Sequence, residues 1–338
     1  MGRSGAPEGD WSQLPFTPIR NTVYAPEELF AGFDPDRPES YAETMDFRAF
    51  RWFVATGRST PTEPYPAMMR ALHDSSLTLD VGRLIAGERV VGIMGGHQLP
   101  RTSDDYHRVA ELGRTLARRG MLVLTGGGPG AMEAAHLGAA LSRRADAELA
   151  SAISTLEAMP VMPRIQAIVA EDGRVHDRLV REAHAWMAPA WAMSRAIADP
   201  GPSLSIPTWH YGHEPTTPFA PRIAKLFQNS IREDGLLTIA RQGIVFTAGS
   251  AGTVQEVFED AEQNFYAATP DDFAPMIFLG RDYWTRTLPV AQLIDTVFAT
   301  AEPMVVREAT RRILVTDDVA EAVARLAEFD PHRSRLER

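Results

Sequence analysis

The chain contains no cysteine, which removes disulfides, thiolate metal sites and a thiol nucleophile and fits a reducing compartment. It also lacks any apolar run near the roughly 18 residues of a membrane span. The start, Met1-Gly2-Arg3-Ser4-Gly5-Ala6, has no apolar signal core, and Ala6 stands where a myristoylation motif wants Ser or Thr. Basic charge is in deficit, with a net charge of −10, so the acidic surface argues against duplex nucleic acid as the main partner. A cytoplasmic location, no membrane association and a small ligand are the expectations. No internal repeat of solenoid type is present.

What is present is an ordinary globular composition: 338 residues, 44% hydrophobic and 23% charged, enough for a full core in one large domain or two smaller ones. Two glycine-rich turns dominate it. Each lies between a strand-like and a helix-like run: Thr125-Gly126-Gly127-Gly128-Pro129-Gly130-Ala131-Met132-Glu133 and Thr247-Ala248-Gly249-Ser250-Ala251-Gly252-Thr253-Val254-Gln255-Glu256. A strand ending in glycines lets backbone approach a bulky anion, and the following helix offers unpaired N–H groups and the positive end of its dipole. Together the turns point to a nucleotide phosphate site with a carboxylate, Glu256, beside it.

The spacing along the chain predicts an irregular or partly disordered lead-in over residues 1 to about 40 and a helical extension from Tyr41 to about Ile85. Strand and helix then alternate. Apolar runs at Arg89–Met94, closed by Gly95-Gly96, and at Met121–Leu124, Ser203–Ile206, Gly243–Phe246, Pro275–Leu279 and Arg312–Val315 read as strands. A helix from about Ser103 to Arg119, one led by Pro218, one from Gly252 to about Phe265, one near Val290–Phe298 and a closing helix to about Phe329 lie between and after them. Residues 142–200 read as a helical insertion divided by Pro160, Pro163, Gly173 and Pro189, and Asp317-Asp318 stands where a helix N-cap belongs. This rhythm predicts an α/β fold with a doubly wound, mainly parallel, Rossmann-like sheet. The division follows as 1–85 for the extension and 86–338 for the nucleotide-binding domain.

Taken residue by residue, the motifs leave alternatives open. Gly126-x-Gly128-x-x-Ala131 passes loosely for a dinucleotide fingerprint with Asp146 as its ribose acid, although a complete βα unit precedes it. Tight strand-to-helix packing without a ligand is the bland reading. At the second turn, Thr253 with Glu256 three residues on also fits a capping box, which carries no chemistry. The stretch Trp209-His210-Tyr211-Gly212-His213-Glu214 follows a strand end, where α/β proteins gather ligand contacts, and its aromatic faces can stack on a base. A structured loop around a buried Trp is equally compatible with it, and His210-x-x-His213 makes a poor zinc site on a loop. Arg222 and Lys225, on the helix expected after Pro218, read as solvated charges, and Trp186, Met187, Trp191 and Met193 as core or interface.

The two motifs GGGPGAMEAAHLGAA and AGSAGTVQE resemble the GGGxxGxM and PGGxGTxxE motifs of the LONELY GUY proteins and the related bacterial nucleotide 5′-monophosphate nucleosidases. The resemblance covers roughly residues 88–330. It implies a Rossmann-like homodimer or larger oligomer that hydrolyses the N-glycosidic bond of a nucleoside monophosphate to free base and ribose 5-phosphate, with no cofactor and no metal. It assigns the chemistry to Arg232, on the helix before the second turn, acting with Glu256. The implied phosphate- and substrate-binding residues are Gly95, Gly127, Gly128, Gly130, Met132, Glu133, Gly249, Ser250, Ala251, Gly252 and Thr253. The chain departs from the family at Ala248-Gly249-Ser250, which stands for Pro-Gly-Gly, and in the length of the 142–200 insertion. A non-catalytic nucleotide sensor with the same pocket is the competing function. Nothing in the chain beyond the family's former label as lysine decarboxylases supports a Schiff-base lysine.

Overall fold

The computed structural model describes residues 11–211 and 213–331, so the reading of Met1–Ala6 and Gly212 of the aromatic stretch lie outside the described residues. Seven short apolar runs form the strands β1 (Val90–Met94), β2 (Leu122–Thr125), β3 (Ser203–Ser205), β4 (Arg222–Ile223), β5 (Gly243–Phe246), β6 (Met276–Leu279) and β7 (Ile313–Thr316). They make one all-parallel sheet in the order β4-β3-β2-β1-β5-β6-β7, with Val91 opposite Val123 and Gly92 opposite Ile244. The inner strands are buried along their whole length, which is why they read as continuous apolar runs rather than alternating ones: helices cover both faces. Strand order reverses at β1, so the carboxyl ends of β2, β1 and β5 lie side by side at the switch point of a doubly wound α/β sheet.

The helices are α1 (Pro26–Leu29), α2 (Met45–Ala55), α3 (Pro64–Leu84), α4 (Asp104–Arg118), α5 (Ala131–Ala140), α6 (Asp146–Leu156), α7 (Asp177–Ala196), α8 (Asn229–Ile239), α9 (Ala251–Phe265), α10 (Val290–Phe298), α11 (Pro303–Arg312) and α12 (Val319–Glu328). Local chemistry sets several of their starts. The Ser103 hydroxyl caps α4 by accepting from the Tyr106 N–H at 3.2 Å, and Asp318 caps α12 by accepting from the Ala320 N–H at 2.7 Å. Among the described residues no helix is long and apolar enough to cross a membrane.

Four expectations need correction. The described part of the lead-in is packed rather than loose: Phe16, Tyr24, Leu29 and Phe30 are buried and belong to the same apolar cluster as Leu124, Leu204 and Phe246. The helix expected to be led by Pro218 starts later: residues 218–228 run through the two-residue edge strand β4, just after Pro218 and Pro221, and the helix, α8, opens at Asn229. Pro189 does not divide the insertion, because α7 continues through it while Trp186, Met187 and Ala190 anchor its buried face. Finally, α11 stands where no helix was expected, immediately before β7.

Candidate functional site

The end of β1 ties the two glycine turns together. Gly96 donates its N–H to the Ala248 carbonyl at 3.0 Å and accepts from the Ala131 N–H at 3.1 Å. One residue just past β1 thus holds the second turn with its donor and the first with its acceptor. Between the turns lies a cavity of about 530 Å³. Gly95, Gly127, Gly128 and Met132 line it from β1 and the first turn, and Ser250, Ala251, Gly252, Thr253 and Glu256 line it from the second. Arg232 and Glu233 close it from α8.

Three of the residues singled out in the sequence lie behind this lining. Gly130 adopts φ +68°, and a Cβ there would stand 2.4 Å from the Gly96 carbonyl oxygen, so it shapes the first turn without facing the cavity. Gly249 packs on Thr253, whose Oγ1 would lie 2.1 Å from a Cβ at that position. Glu133 points into the protein: Arg101 donates Nε and Nη2 to its two carboxyl oxygens at 2.8 and 2.7 Å, and Tyr106 donates its hydroxyl at 3.0 Å. With Arg101 stacked 4.2 Å over Trp186 on α7, Glu133 fastens the first turn to the helical insertion. Its place in the fold is structural, and it does not reach a ligand in the cavity.

The second turn corrects the capping-box alternative. α9 starts at Ala251 with Ser250 as its N-cap, and the Ser250 side chain makes no cap bond. Thr253 is therefore the third helical residue and Glu256 the sixth, too far along for the reciprocal pairing of a capping box. The first N–H groups of this 15-residue helix keep no intrahelical partner, and Ala251, Gly252 and Thr253, which carry them, line the cavity at the positive end of the dipole.

Arg232 sits on the first turn of α8, held by Asn229, whose Oδ1 accepts from Nε and Nη2 at 3.1 and 3.0 Å. Its Nη1 lies 3.9 Å from Glu256 Oε1, and the same nitrogen would be 3.1 Å from a Cβ at Gly126. The guanidinium thus bridges the two turns. Burial pushes the Glu256 carboxyl up to about 7; the Arg232 charge opposes that rise, and Glu233 and Glu259 add to it. Such a carboxyl exchanges a proton near neutral pH, as a residue acting on water or a developing cation requires.

The aromatic stretch divides by side chain. Trp209 is buried against Phe227, at 4.4 Å between ring centroids, whereas Tyr211 is half exposed at the cavity. The Tyr211 hydroxyl donates to Glu233 at 2.7 Å and accepts from Asn229 Nδ2 at 2.7 Å, so the ring is fixed. His213 is buried against Tyr41 and His210 bonds Ser59, so the two histidines serve different partners.

Asp146 is the first residue of α6 and pairs with Arg114 and Arg118 on the outer surface, outside the cavity lining, which removes it as a ribose acid. Arg222 belongs to β4. Lys225, the only lysine of the chain, is fully buried, with Nζ 2.7 Å from Asp46 Oδ1 and 2.9 Å from Thr216 Oγ1. It is neither solvated nor in the cavity, so no amine there can form a Schiff base with a bound carbonyl compound.

Sequence reasoning passed over His97, Gln166 and Glu233, and gave Glu214 no role of its own within the aromatic stretch, yet all four line the cavity. His97 directly follows Gly95-Gly96, a third glycine-bearing strand end that marks it in retrospect. Glu214 reaches within 3.4 Å of a Cβ position at Gly128. Gln166 comes from the insertion, where no local pattern distinguishes it.

No curated protein matches the chain by sequence. Three solved structures resemble it in fold: the molybdenum cofactor carrier protein of Chlamydomonas reinhardtii (16% identity, TM-score 0.40, 71% of this chain and 97% of that one); the molybdenum cofactor binding protein of Rippkaea orientalis (15%, 0.39, 71% and 96%); and TM1055 (18%, 0.39, 71% and 99%). Residues 88–144, which span β1, α4, β2, the first glycine turn and α5, match the model of the SLOG cluster4 family.

Proposed function

We propose that the protein is a nucleoside 5′-monophosphate phosphoribohydrolase that releases free base and ribose 5-phosphate. The observation that carries this reading is the meeting of Arg232 and Glu256, 3.9 Å apart, where the two glycine turns enclose one cavity. It is joined by the motif resemblance to the LONELY GUY proteins and by the family match over the first turn. In this reading the N–H groups at the start of α9 and the Thr253 hydroxyl hold the 5′-phosphate. The ribose then lies toward Glu256, whose carboxylate stabilises positive charge developing at C1′ and orients a water molecule. The C1′–N bond breaks with its electron pair leaving on the base; the water oxygen bonds C1′, and the proton balance is completed on the departing base. Arg232 orients the ligand and keeps Glu256 from holding its proton too tightly. Tyr211 offers a fixed, half-exposed ring for the base.

A second reading, nucleotide binding without cleavage, has its own support. Glu214, Glu233 and Glu256 face the cavity with Arg232, and Ala248-Gly249-Ser250 replaces the family's Pro-Gly-Gly. Incubating the purified protein with a panel of nucleoside monophosphates and following free base by chromatography decides between them: release of base from at least one is the expected result, and tight binding with no release establishes the second reading. The resemblance also leads us to propose a homodimer or larger assembly, which a monomeric mass by light scattering at micromolar concentration would exclude.

A further inference from the structure

The N-terminal extension reaches the candidate site through buried polar groups rather than through surface contact. Asp46 of α2 accepts from the Trp209 indole N–H at 2.8 Å and pairs with Lys225. Further along, the buried Asp74 of α3 meets the beginning of α8: Oδ2 accepts from the Gln228 N–H at 2.8 Å, and both oxygens accept from the Phe227 N–H at 3.0 and 3.1 Å. Gln228 is the N-cap residue of α8, and its own side chain makes no cap bond. The acceptor that a capping-box side chain at the third helical residue gives to the N-cap N–H is supplied here, where α8 has Ile231 at that place, from a helix more than 150 residues away in sequence.

The consequence runs along α8. Asn229, the first helical residue, holds the Arg232 guanidinium, and Arg232 lies 3.9 Å from Glu256. We propose that Asp74 is a positioning residue of the site: it fixes the start of α8, and through Asn229 it seats Arg232 beside Glu256. The extension is then part of the working site although none of its described residues lines the cavity. This assignment rests on the reading of Arg232 and Glu256 as partners given above.

A purely structural role for Asp74 would alter stability alone, whereas a positioning role alters the field at Glu256. The charged groups acting on Glu256 are Arg232 and Glu233 from α8 and Glu259 from its own helix, and His97 and Glu214 line the same cavity. Among those acting on it, Arg232 alone lowers its pKa, and Glu233 is held separately by the Tyr211 hydroxyl, so turning the Arg232 guanidinium away from Glu256 raises it.

The test is the titration of Glu256 in the full-length protein, followed by carboxyl NMR with ¹³C-labelled glutamate and assigned with Glu256→Gln. In Asp74→Asn the midpoint should move upward by about half a pH unit or more, and kcat should fall about tenfold with KM changed less than about threefold. Should Asp74→Asn fail to fold, Asp74→Ser, which keeps one acceptor, is read in the same way. A folded Asp74 variant with an unchanged midpoint overturns the assignment. So does acetylation of Lys225 in that variant, since the whole wall would then have come away. If the wild type cleaves no nucleotide, the NMR midpoint still decides the role of Asp74, and only the hydrolase reading has failed.

Discussion

Glu256 concentrates the chemistry at the scale of single residues, because burial and one cation act on its proton in opposite directions. If it works as a carboxylate, kcat rises with pH through its pKa of about 7 and levels off above it, as a pH profile on the best substrate will read. Glu256→Gln keeps the size and removes the charge, and should lower turnover about a hundredfold or more with nucleotide binding retained. Arg232→Ala should lower it similarly, and the double variant should cost little more than either, because groups acting as a unit are not additive. Hydrolysis near the wild-type rate in Glu256→Gln would remove the catalytic assignment. A second carboxyl on α9, Asp260, shows what burial does without a cation nearby. Its Oδ2 has no hydrogen-bond partner, and burial pushes its pKa up to about 8. The folded protein therefore keeps a proton that the unfolded chain releases, and this group's contribution to stability declines as pH rises from about 4 to 8. Asp260→Asn should be stabilising relative to wild type by about 4 kcal/mol more at pH 8 than at pH 5, measured by urea unfolding.

At the scale of elements, the site depends on two strand-to-helix turns that touch the same residue, Gly96, just past the end of β1. Gly130 is the tightest point of the first turn, since an added methyl meets the Gly96 carbonyl and the backbone has positive φ. Gly130→Ala should destabilise the protein by about 1–3 kcal/mol and weaken nucleotide binding, as thermal unfolding and calorimetry will show. The turns, their strands and the cap at Asp318 were legible because short-range rules govern them: a glycine needs a tight corner, and an N-cap needs an oxygen. β4 and the late start of α8 were not legible, because two residues paired at a sheet edge carry almost no periodicity. The insertion was legible as helix, but the bond between Glu133 and Arg101 that fastens it to the first turn joins residues 32 apart and leaves no local trace.

At the scale of the whole molecule, neutral histidines are built into the interior. His136 on α5 bridges Thr125 at the end of β2 and Ser203 at the start of β3, and burial holds its pKa down to about 3. His213, between the extension and the aromatic loop, is likewise held down to about 3, mainly by burial. The unfolded chain takes up protons at both near the ordinary value of about 6.5. Their contribution is therefore intact above that pH and lost progressively as pH falls toward 3. Unfolding free energy should drop by more than about 2 kcal/mol between pH 6.5 and 4, and His213→Gln should reduce that slope; a flat profile over this window would contradict the assignment of two buried neutral rings.

By itself the sequence determined the alternation of strands and helices, the parallel sheet that alternation demands, and the two places where backbone can meet an anion. It also named Arg232 and Glu256, through a resemblance in motifs rather than through anything in their spacing. The tertiary structure alone decided that the turns share one cavity, that Glu133 faces inward, that Glu256 begins no capping box and that the chain's one lysine is buried. Asp46, Asp74 and His213 gain their roles only when residues far apart in sequence meet. The division has a physical reason: helix periodicity, caps and glycine turns are set by interactions over a few residues. Burial of a charge and the pKa that follows depend on which distant segments surround it, and that is settled only when the chain has closed on itself.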